Sequence, residues 1–336
     1  MGDALVIGAG QIGTAIADRL LAEGWRVAVA TRGAHPLPTE LAGRIEHLVA
    51  DHATADGVAR AIGGGRDLVV DTIAFDDADA RRLLARRDDI GRFLMISSAS
   101  VYADADGRTL ETAGEHGFPR FDGPVAEAQP TVAPGPATYA TRKRAMELAM
   151  LDSGAPVSIL RPCAVYGRWS RSPREWWFVK RLLDGRSRIP LAFNGESRFQ
   201  TSAAVNIAAL AAIVVALPGQ RILNAADAEA LSSEQIGRAI MAALGREAEL
   251  VPLAGGRPGG AGMTPWSVPR PFVLSDRSSR TFGYAPLVDY RHGTRAACAW
   301  LARAVPPEGW QTVLPGLSAY QSDLFDYAAE DRALAG

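Results

Sequence analysis

The chain of 336 residues has few of the features that mark several large classes of protein. Its two cysteines, Cys163 and Cys298, are too few for a disulfide framework and show no paired metal-ligand spacing. The five histidines form no HxH or HExxH pattern, so we expect no metal site. This cysteine usage is typical of a reducing compartment, and we expect a cytoplasmic location.

Long apolar runs and an excess of charge are also missing. No apolar run approaches the ~18 residues that span a membrane. The first residues show no basic segment followed by an apolar one, so we expect neither a membrane span nor a signal peptide. The formal net charge is −1. Nucleic-acid proteins that rely on a general basic field carry clustered excess cations, so this balance argues against a nucleic-acid partner.

The first half of the sequence alternates short apolar runs with segments of helical spacing. Such a pattern predicts parallel strands joined by helices, in a sheet that is covered on both faces. The predicted strands are 4–7, 26–30, 44–50, 67–71, 92–96, 157–160 and 221–225, and the predicted helices are 12–21, 53–62, 76–86, 138–153, 205–217, 231–244 and 289–304. Residues 104–136 and 254–271 are expected to be loops, the first of them near the active site.

A glycine-rich turn follows the first predicted strand and opens the first helix. Gly8 permits the tight turn, Gly10 lets the backbone approach a pyrophosphate, and Gly13 lets helix and strand pack closely. The N-terminus of the helix offers free N–H groups and a positive dipole end to phosphates. The strand–turn–helix context indicates a dinucleotide site; the alternative is a turn with packing demands only.

The end of the second strand bears on which dinucleotide is bound. An acidic residue at this point would bind the ribose 2′-hydroxyl, but the strand ends in Thr31-Arg32. Arg32 offers a cation suited to a 2′-phosphate, so we expect a preference for NADP(H), with NAD(H) possible. A solvated surface arginine is the alternative. Asp51, just past the third strand, can receive the adenine amino group or cap the next helix.

Tyr139 and Lys143 are four residues apart in one predicted helix and therefore share a face. A free tyrosine, with a pKa of about 10, is a poor base at neutral pH. A nearby ammonium and a cationic nicotinamide would lower that pKa, so that the phenol exchanges a proton while hydride moves. Ser98 lies at the carboxyl end of the fifth strand, where open α/β sheets bind ligands. The alternatives are a packed tyrosine, a solvated lysine and a turn-forming serine.

Together these features resemble the extended or atypical short-chain dehydrogenase/reductase superfamily, in its NAD-dependent epimerase/dehydratase-like branch. The resemblance covers roughly residues 3–230, and its further markers are SSASVY at 97–102 and LRPCAVYG at 160–167. It implies that Ser98 is the catalytic serine, Tyr139 the acid/base, and Lys143 the residue that orients the ribose. The expected cofactor-binding residues are Gly8, Gly10, Gln11, Ile12, Gly13, Thr31, Arg32, Asp51, Thr72, Ile73, Ala74, Ser97, Tyr139, Lys143, Pro162, Cys163 and Val165.

The fold class that follows is α/β, a Rossmann-type doubly wound parallel sheet with a smaller C-terminal substrate lobe. We expect the dinucleotide-binding domain at 1–166 plus about 200–226, and the substrate-binding lobe at 167–199 and 227–336. The expected substrate-binding residues are Ser98, Ser100, Tyr166, Arg168, Trp176 and Arg198. Cations among indoles after residue 167 suit an anionic or aromatic substrate. The alternative is an amphipathic helix with buried tryptophans and solvated arginines.

Three functions fit these residues. The first is an NADP(H)-dependent oxidoreductase that reduces a carbonyl or oxidises an alcohol, with Tyr139 as acid/base. The second is an epimerase or dehydratase of a nucleotide-activated sugar, in which Arg198 resembles the arginine that contacts substrate phosphate. The third is a cofactor-sensing or RNA-associated scaffold, against which the intact Ser98, Tyr139 and Lys143 argue. A small-molecule substrate is expected, without a membrane or nucleic-acid partner, and the resemblance implies a homodimer as a possible assembly.

Overall fold

The computed structural model describes residues 2–257, 259–318 and 323–335. The strands are β1 (Asp3–Ile7), β2 (Arg26–Thr31), β3 (Glu46–Val49), β4 (Leu68–Asp71), β5 (Phe93–Ile96), β6 (Val157–Pro162), β7 (Val165–Tyr166), β8 (Arg188–Leu191), β9 (Ser202–Ala203), β10 (Arg221–Ala225) and β11 (Glu249–Pro252). The helices are α1 (Gln11–Ala22), α2 (Ala55–Ile62), α3 (Asp77–Leu84), α4 (Ala113–His116), α5 (Tyr139–Asp152), α6 (Trp176–Leu183), α7 (Ala204–Val214), α8 (Ser233–Leu244), α9 (Arg277–Thr281), α10 (Tyr290–Ala304), α11 (Trp310–Val313), α12 (Pro315–Ser318) and α13 (Tyr327–Ala335).

A seven-stranded sheet in the order β3-β2-β1-β4-β5-β6-β10 forms the centre of the molecule. Every neighbouring pair in it is parallel. The strand order reverses between β1 and β4, and in open α/β sheets ligands bind outside the carboxyl ends of the strands at such a point. The predicted Rossmann-type doubly wound sheet is therefore confirmed.

Both faces of this sheet are covered, which explains why its strands are continuously apolar. Successive side chains of β1 point to opposite faces: Ala4 and Val6 pack in a cluster with α1 and α7, whereas Leu5 and Ile7 pack with α2, α3 and α5. All four side chains are almost completely buried. Each face of the sheet is therefore covered by helices. Ligands have access at the ends of the strands, and in open α/β sheets they bind at the carboxyl ends.

A third hydrophobic cluster lies in the C-terminal part of the chain, where α6, α8 and α10 pack beside the two-stranded β8–β11 sheet. Trp176, Trp177 and Phe178 of α6 are wholly buried in it. The tryptophans of α6 are thus buried, as in the alternative given above, but Arg168, Arg171 and Arg174 precede the helix and do not form a solvated face on it. Among the described residues, no helix is long and apolar enough to cross a membrane, and no group of His, Cys, Asp and Glu side chains could hold a metal ion.

Candidate functional site

The glycine turn has the conformation that its sequence predicts. Gly8 has a φ of +99°, and a Cβ there would lie 2.6 Å from Thr72 Oγ1. A Cβ on Gly13 would collide with the carbonyl oxygen of Gly8, whereas a Cβ on Gly10 would meet nothing within 4 Å. The conformational roles expected of Gly8 and Gly13 are confirmed. The space in front of Gly10 is open, and no side chain caps the N-terminus of α1, which begins with Gln11 and Ile12.

The carboxyl end of β2 presents a free cation. Arg32 is exposed, and its side chain makes no ion pair or hydrogen bond with any residue that the structure describes. The preceding Thr31 hydroxyl is fixed by contacts with His47 Nε2 at 2.8 Å and with the Gly33 N–H at 3.1 Å. Asp51, past β3, accepts a hydrogen bond from the Ala53 N–H at 3.1 Å. The cap of α2 is Thr54, so Asp51 shapes the turn before the helix rather than capping it.

The end of β4 is held by a buried carboxylate. Asp71 Oδ1 accepts hydrogen bonds from the Ile73 N–H at 2.8 Å and the Ala74 N–H at 2.6 Å. The Thr72 hydroxyl donates to the Ile7 carbonyl at 2.9 Å, which ties β4 to β1. These bonds fix the turn through 72–74 at the switch point and leave Ile73 41% exposed there. Thr72, Ile73 and Ala74 therefore lie together at the edge where ligands are expected.

The Tyr139 phenol and the Ser98 hydroxyl lie near each other at the carboxyl end of β5. Ser98 caps a short 3₁₀ turn, and its Oγ accepts hydrogen bonds from the Ser100 N–H at 3.2 Å and the Ser100 hydroxyl at 3.0 Å. Thr138 caps α5, so Tyr139 is its first residue. Although Tyr139 is 41% exposed, partial burial of its phenol raises the pKa above its ordinary value, while the neighbouring Ser98 hydroxyl acts in the opposite direction. At neutral pH this phenol is protonated.

Lys143 lies one turn along α5 with its ammonium inside the protein. Its Nζ donates hydrogen bonds to the Ala74 carbonyl at 2.6 Å and the Ile96 carbonyl at 2.9 Å, and it lies 5.8 Å from the Tyr139 ring centroid. Burial lowers the pKa of Lys143 to about 8, opposed by the charges of Asp71, Asp79 and Glu147. An ammonium has three N–H donors, so one remains for a ligand beside Tyr139.

A buried ion pair between Glu147 and Arg161 lies next to the residues of the candidate site. Glu147 accepts hydrogen bonds from Arg161 Nε at 2.8 Å and Nη2 at 2.6 Å, and from the Ser97 hydroxyl at 2.6 Å. Arg144 adds a bond at 2.9 Å. These contacts hold the pKa of Glu147 below its ordinary value despite burial. The Ser97 hydroxyl is thus turned away from the ligand edge, and its predicted cofactor contact could come from its backbone alone.

The end of β6 brings 162–165 to the same edge of the sheet. Pro162 ends β6, and the Cys163 N–H donates to the Ser202 hydroxyl at 3.0 Å. Burial raises the pKa of the Cys163 thiol to about 12, which makes it a poor nucleophile at neutral pH. A small buried thiol is the role expected from the sequence. Val165, half-buried in β7, follows directly.

The predicted substrate residues are not brought together. Trp176 and Tyr166 are 0% and 1% exposed and pack in the C-terminal core. Neither side chain therefore has a surface that a ligand could contact. Arg168 forms an ion pair with Glu40 at 2.6 Å and lies over the Trp169 ring. Arg198 is exposed and donates to the Ala230 carbonyl at 2.8 Å. Of this set, only Ser98 lies near Tyr139, and Ser100 lies beside Ser98.

Several polar residues that contribute to the site carried no sequence prediction. The Glu111 carboxylate accepts hydrogen bonds of 3.2 Å from the Ala140 N–H at the start of α5, and its charge raises the pKa of Tyr139. Glu147 follows Lys143 by four residues, and this shared helix face is the signal that could have found it. Glu111 lies in 104–136, so this segment contacts the start of α5.

Comparison with known proteins finds a family match in the N-terminal part of the chain. Residues 8–168 match the family described as NAD(P)H-binding. A curated relative, the chloroplast stem-loop binding protein of 41 kDa b from Arabidopsis thaliana, is 25% identical over 196 residues, or 55% of this chain. The match covers 47% of that protein, so the chain spans about half of its length.

Solved structures match over nearly the whole chain. The UDP-glucose 4-epimerase of Thermus thermophilus in complex with NAD has a TM-score of 0.69 at 20% identity, covering 90% of this chain and 100% of that one. The dTDP-glucose 4,6-dehydratase of Bacillus anthracis in complex with NAD has a TM-score of 0.67 at 16% identity, covering 94% and 100%. The UDP-glucuronic acid 4-epimerase of Bacillus cereus, with UDP-glucuronic acid and NAD, has a TM-score of 0.67 at 18% identity, covering 89% and 98%. Residues 8–168 therefore match the NAD(P)H-binding family, and the chain has the fold of the NAD-dependent epimerases and dehydratases that its sequence motifs resemble.

Proposed function

We propose that the protein is an NADP(H)-dependent oxidoreductase that reduces a carbonyl group, or oxidises the corresponding alcohol. The observation that carries this proposal is the meeting of Tyr139, Ser98 and Lys143 at the carboxyl edge of the sheet. Open α/β sheets bind their ligands at this edge. A protonated phenol beside a second hydroxyl and an ammonium can polarise a carbonyl oxygen and protonate it.

The residues at the glycine turn fit a dinucleotide. The open space at Gly10 and the uncapped N-terminus of α1 suit a pyrophosphate. Arg32, which has no partner in the described part of the chain, suits a 2′-phosphate and supports the preference for NADP(H). The remaining N–H of Lys143 suits a ribose hydroxyl. The rest of the proposed dinucleotide site would be lined by Ile73, Ala74, Pro162 and Val165.

The chain's own residues divide the work on the substrate. A bound nicotinamide supplies or accepts the hydride. Ser98 donates a hydrogen bond to the substrate oxygen, and Tyr139 donates its proton to the same oxygen. The Tyr139 phenol, whose pKa is raised above its ordinary value, is protonated at neutral pH and can donate the proton that reduction requires. Lys143 stabilises the phenolate that remains.

The test is stoichiometric consumption of NADPH. Ketones, aldehydes and nucleotide sugars would be screened by following NADPH absorbance, with the reduced product quantified by mass spectrometry. We expect equal amounts of NADP⁺ and alcohol. Conversion of a nucleotide sugar without net change in the cofactor would instead establish the alternative, an epimerase or dehydratase. The sugar-nucleotide enzymes among the matching structures favour that alternative.

Two further expectations belong to this proposal. The substrate would lie between the dinucleotide-binding domain, 1–166 plus about 200–226, and a substrate lobe formed by 167–199 and 227–336.

We also propose a homodimer, to be tested by analytical ultracentrifugation of the purified chain. A single species at the 35.6 kDa mass of the chain would exclude it.

A further inference from the structure

Arg174 is a cation near the Tyr139 hydroxyl, and the described residues supply no ion-pair partner for it. It lies in the turn before α6 and is half-buried. Its Nε is fully buried and has no hydrogen-bond partner, and no residue that the structure describes forms an ion pair with its guanidinium. The charge of Arg174 acts on both the Tyr139 hydroxyl and the Cys163 thiol, favouring the ionised form of each. The guanidinium is therefore near Tyr139 and Cys163, which lie at the ligand edge of the sheet.

The adjacent carboxyl group does not serve as a partner. Glu175 is almost completely buried, and it accepts a hydrogen bond from the Tyr290 hydroxyl at 3.1 Å. Burial raises the pKa of Glu175 to about 7, so its negative charge is only partly present at neutral pH. Arg168, in the same segment, forms an ion pair with Glu40. The charge of Arg174 favours the ionised form of Glu175, but, unlike Arg168, Arg174 forms no ion pair with any residue that the structure describes.

A half-buried cation without an ion-pair partner is only partly solvated, and partial removal of water strengthens its attraction for an anion. A guanidinium also presents paired N–H groups that match a carboxylate or a phosphate. We propose that Arg174 binds an anionic oxygen group of the substrate, a carboxylate or a phosphate, and so holds the reacting carbonyl against Tyr139 and Ser98. This inference rests on the proposed function for the identity of the reacting group, but the anion site itself does not depend on turnover.

The experiment measures anion binding to the protein saturated with NADP⁺, so that the cofactor's own phosphate sites are filled. Malonate, inorganic phosphate and neutral malonamide would be titrated by calorimetry against wild type, R174A, R174K and the control R171A. Arg171 is an exposed arginine of the same segment. We expect malonate or phosphate to bind wild type and R171A, at least tenfold more weakly to R174A, and with intermediate affinity to R174K. Malonamide should bind none of them measurably.

The relative affinities of malonate and phosphate assign the group as a carboxylate or a phosphate. Because R174A removes an unpaired cation, its Tm should equal or exceed that of wild type, so weaker binding would not reflect unfolding. Y139F should keep the anion affinity of wild type. Equal affinity of R174A and wild type for both anions, or no preference of wild type for anions over malonamide, would overturn the inference. If Arg174 governs anion binding but no carbonyl consumes NADPH, the proposed function alone fails.

Discussion

The Ser97 hydroxyl donates a hydrogen bond of 2.6 Å to Glu147 Oε1, which joins the end of β5 to the helix that carries Tyr139 and Lys143. The same carboxylate pairs with Arg161 on β6, and both side chains of that pair are almost completely buried. Three elements that meet at the site thus share one buried charge. The positions of Ser98 and Lys143 relative to each other depend on this network, although none of its members faces the ligand edge.

Loss of Glu147 should destabilise the fold. Glu147→Ala leaves Arg161 as a buried unpaired cation, and breaking such a pair costs about 3–5 kcal/mol. Urea unfolding would measure the loss. Glu234→Ala, which removes an exposed ion pair with Arg238, should cost less than about 1 kcal/mol. Replacing both Glu147 and Arg161 with methionine should recover part of the stability; equal unfolding free energies of wild type and Glu147→Ala would refute the network's role.

Tyr139→Phe should abolish turnover and leave cofactor binding intact. The ring still packs 5.5 Å from that of Phe75, but no hydroxyl remains to donate a proton. Loss of a general acid lowers kcat by about 10²–10⁴-fold. Cofactor affinity by fluorescence titration should change by less than about threefold, since the lost hydroxyl acts on the substrate oxygen in the transition state while the ring that would contact the cofactor remains. Activity close to that of wild type would remove Tyr139 from the mechanism.

Arg32→Ala should change the cofactor preference. A hydrogen bond to a charged group contributes about 1.5–3 kcal/mol, so kcat/KM for NADPH should fall about 10- to 100-fold while that for NADH stays nearly constant. Arg60→Ala, at an exposed position of α2, is the matched control and should alter neither. A wild-type enzyme that prefers NADH would contradict the assignment of Arg32.

Two alanine substitutions in the glycine turn should have different consequences. At Gly13 the new Cβ would collide with the Gly8 backbone, so Gly13→Ala should lower Tm as well as cofactor affinity. At Gly10 the φ of −79° suits any residue and nothing lies within 4 Å, so Gly10→Ala should keep the wild-type Tm and lose affinity for NADPH. Thermal unfolding and fluorescence titration separate the two. Unchanged NADPH affinity in Gly10→Ala would contradict a pyrophosphate site there.

The pH dependence of reduction should report Lys143. Its pKa of about 8 means that the ammonium is lost as pH rises through that value, and kcat/KM, which reflects the free enzyme, should fall there. Tyr139 titrates later because burial raises its pKa. K143R, whose guanidinium stays charged, should lack this decline in its remaining activity. A flat profile from pH 7 to about 9.5 would contradict the assignment.

Unfolding would not explain that decline. The pKa of Lys143 is lower in the folded chain than in the unfolded one, so above pH 8 the unfolded chain holds the extra proton. Stability from this group therefore increases with pH between about 8 and the ordinary lysine value. Tm measured over the same range should show no loss that Lys143 causes.

Features that depend on local sequence could be predicted. The apolar runs of β1, β4 and β6, the positive φ of Gly8 and the shared face of Tyr139 and Lys143 each follow from a few neighbouring residues. Their periods and turn requirements are set by backbone geometry, which acts over short stretches of chain. The edge of the sheet that carries the candidate site follows from the same rules.

Features that depend on distant partners could not be predicted. Arg168 and Arg174 have the same chemistry, yet Arg168 is neutralised by Glu40, far earlier in the chain, while Arg174 is not. Similarly, Trp176 is buried because α6 packs against α8 and α10, which follow it by many residues. Short strands such as β8 and β11 pair with each other across 60 residues of chain and carry no pattern of their own.

The Ala74 carbonyl follows β4, and the Ile96 carbonyl ends β5. Because the Lys143 ammonium donates a hydrogen bond to each, it connects the ends of these two neighbouring strands. Fixing a lysine side chain costs up to about 2 kcal/mol of rotamer entropy. Here that entropy is lost once, when the chain folds, rather than at every encounter with a ligand. The ammonium is preorganised, and a ligand that reaches the carboxyl edge meets a donor already in place.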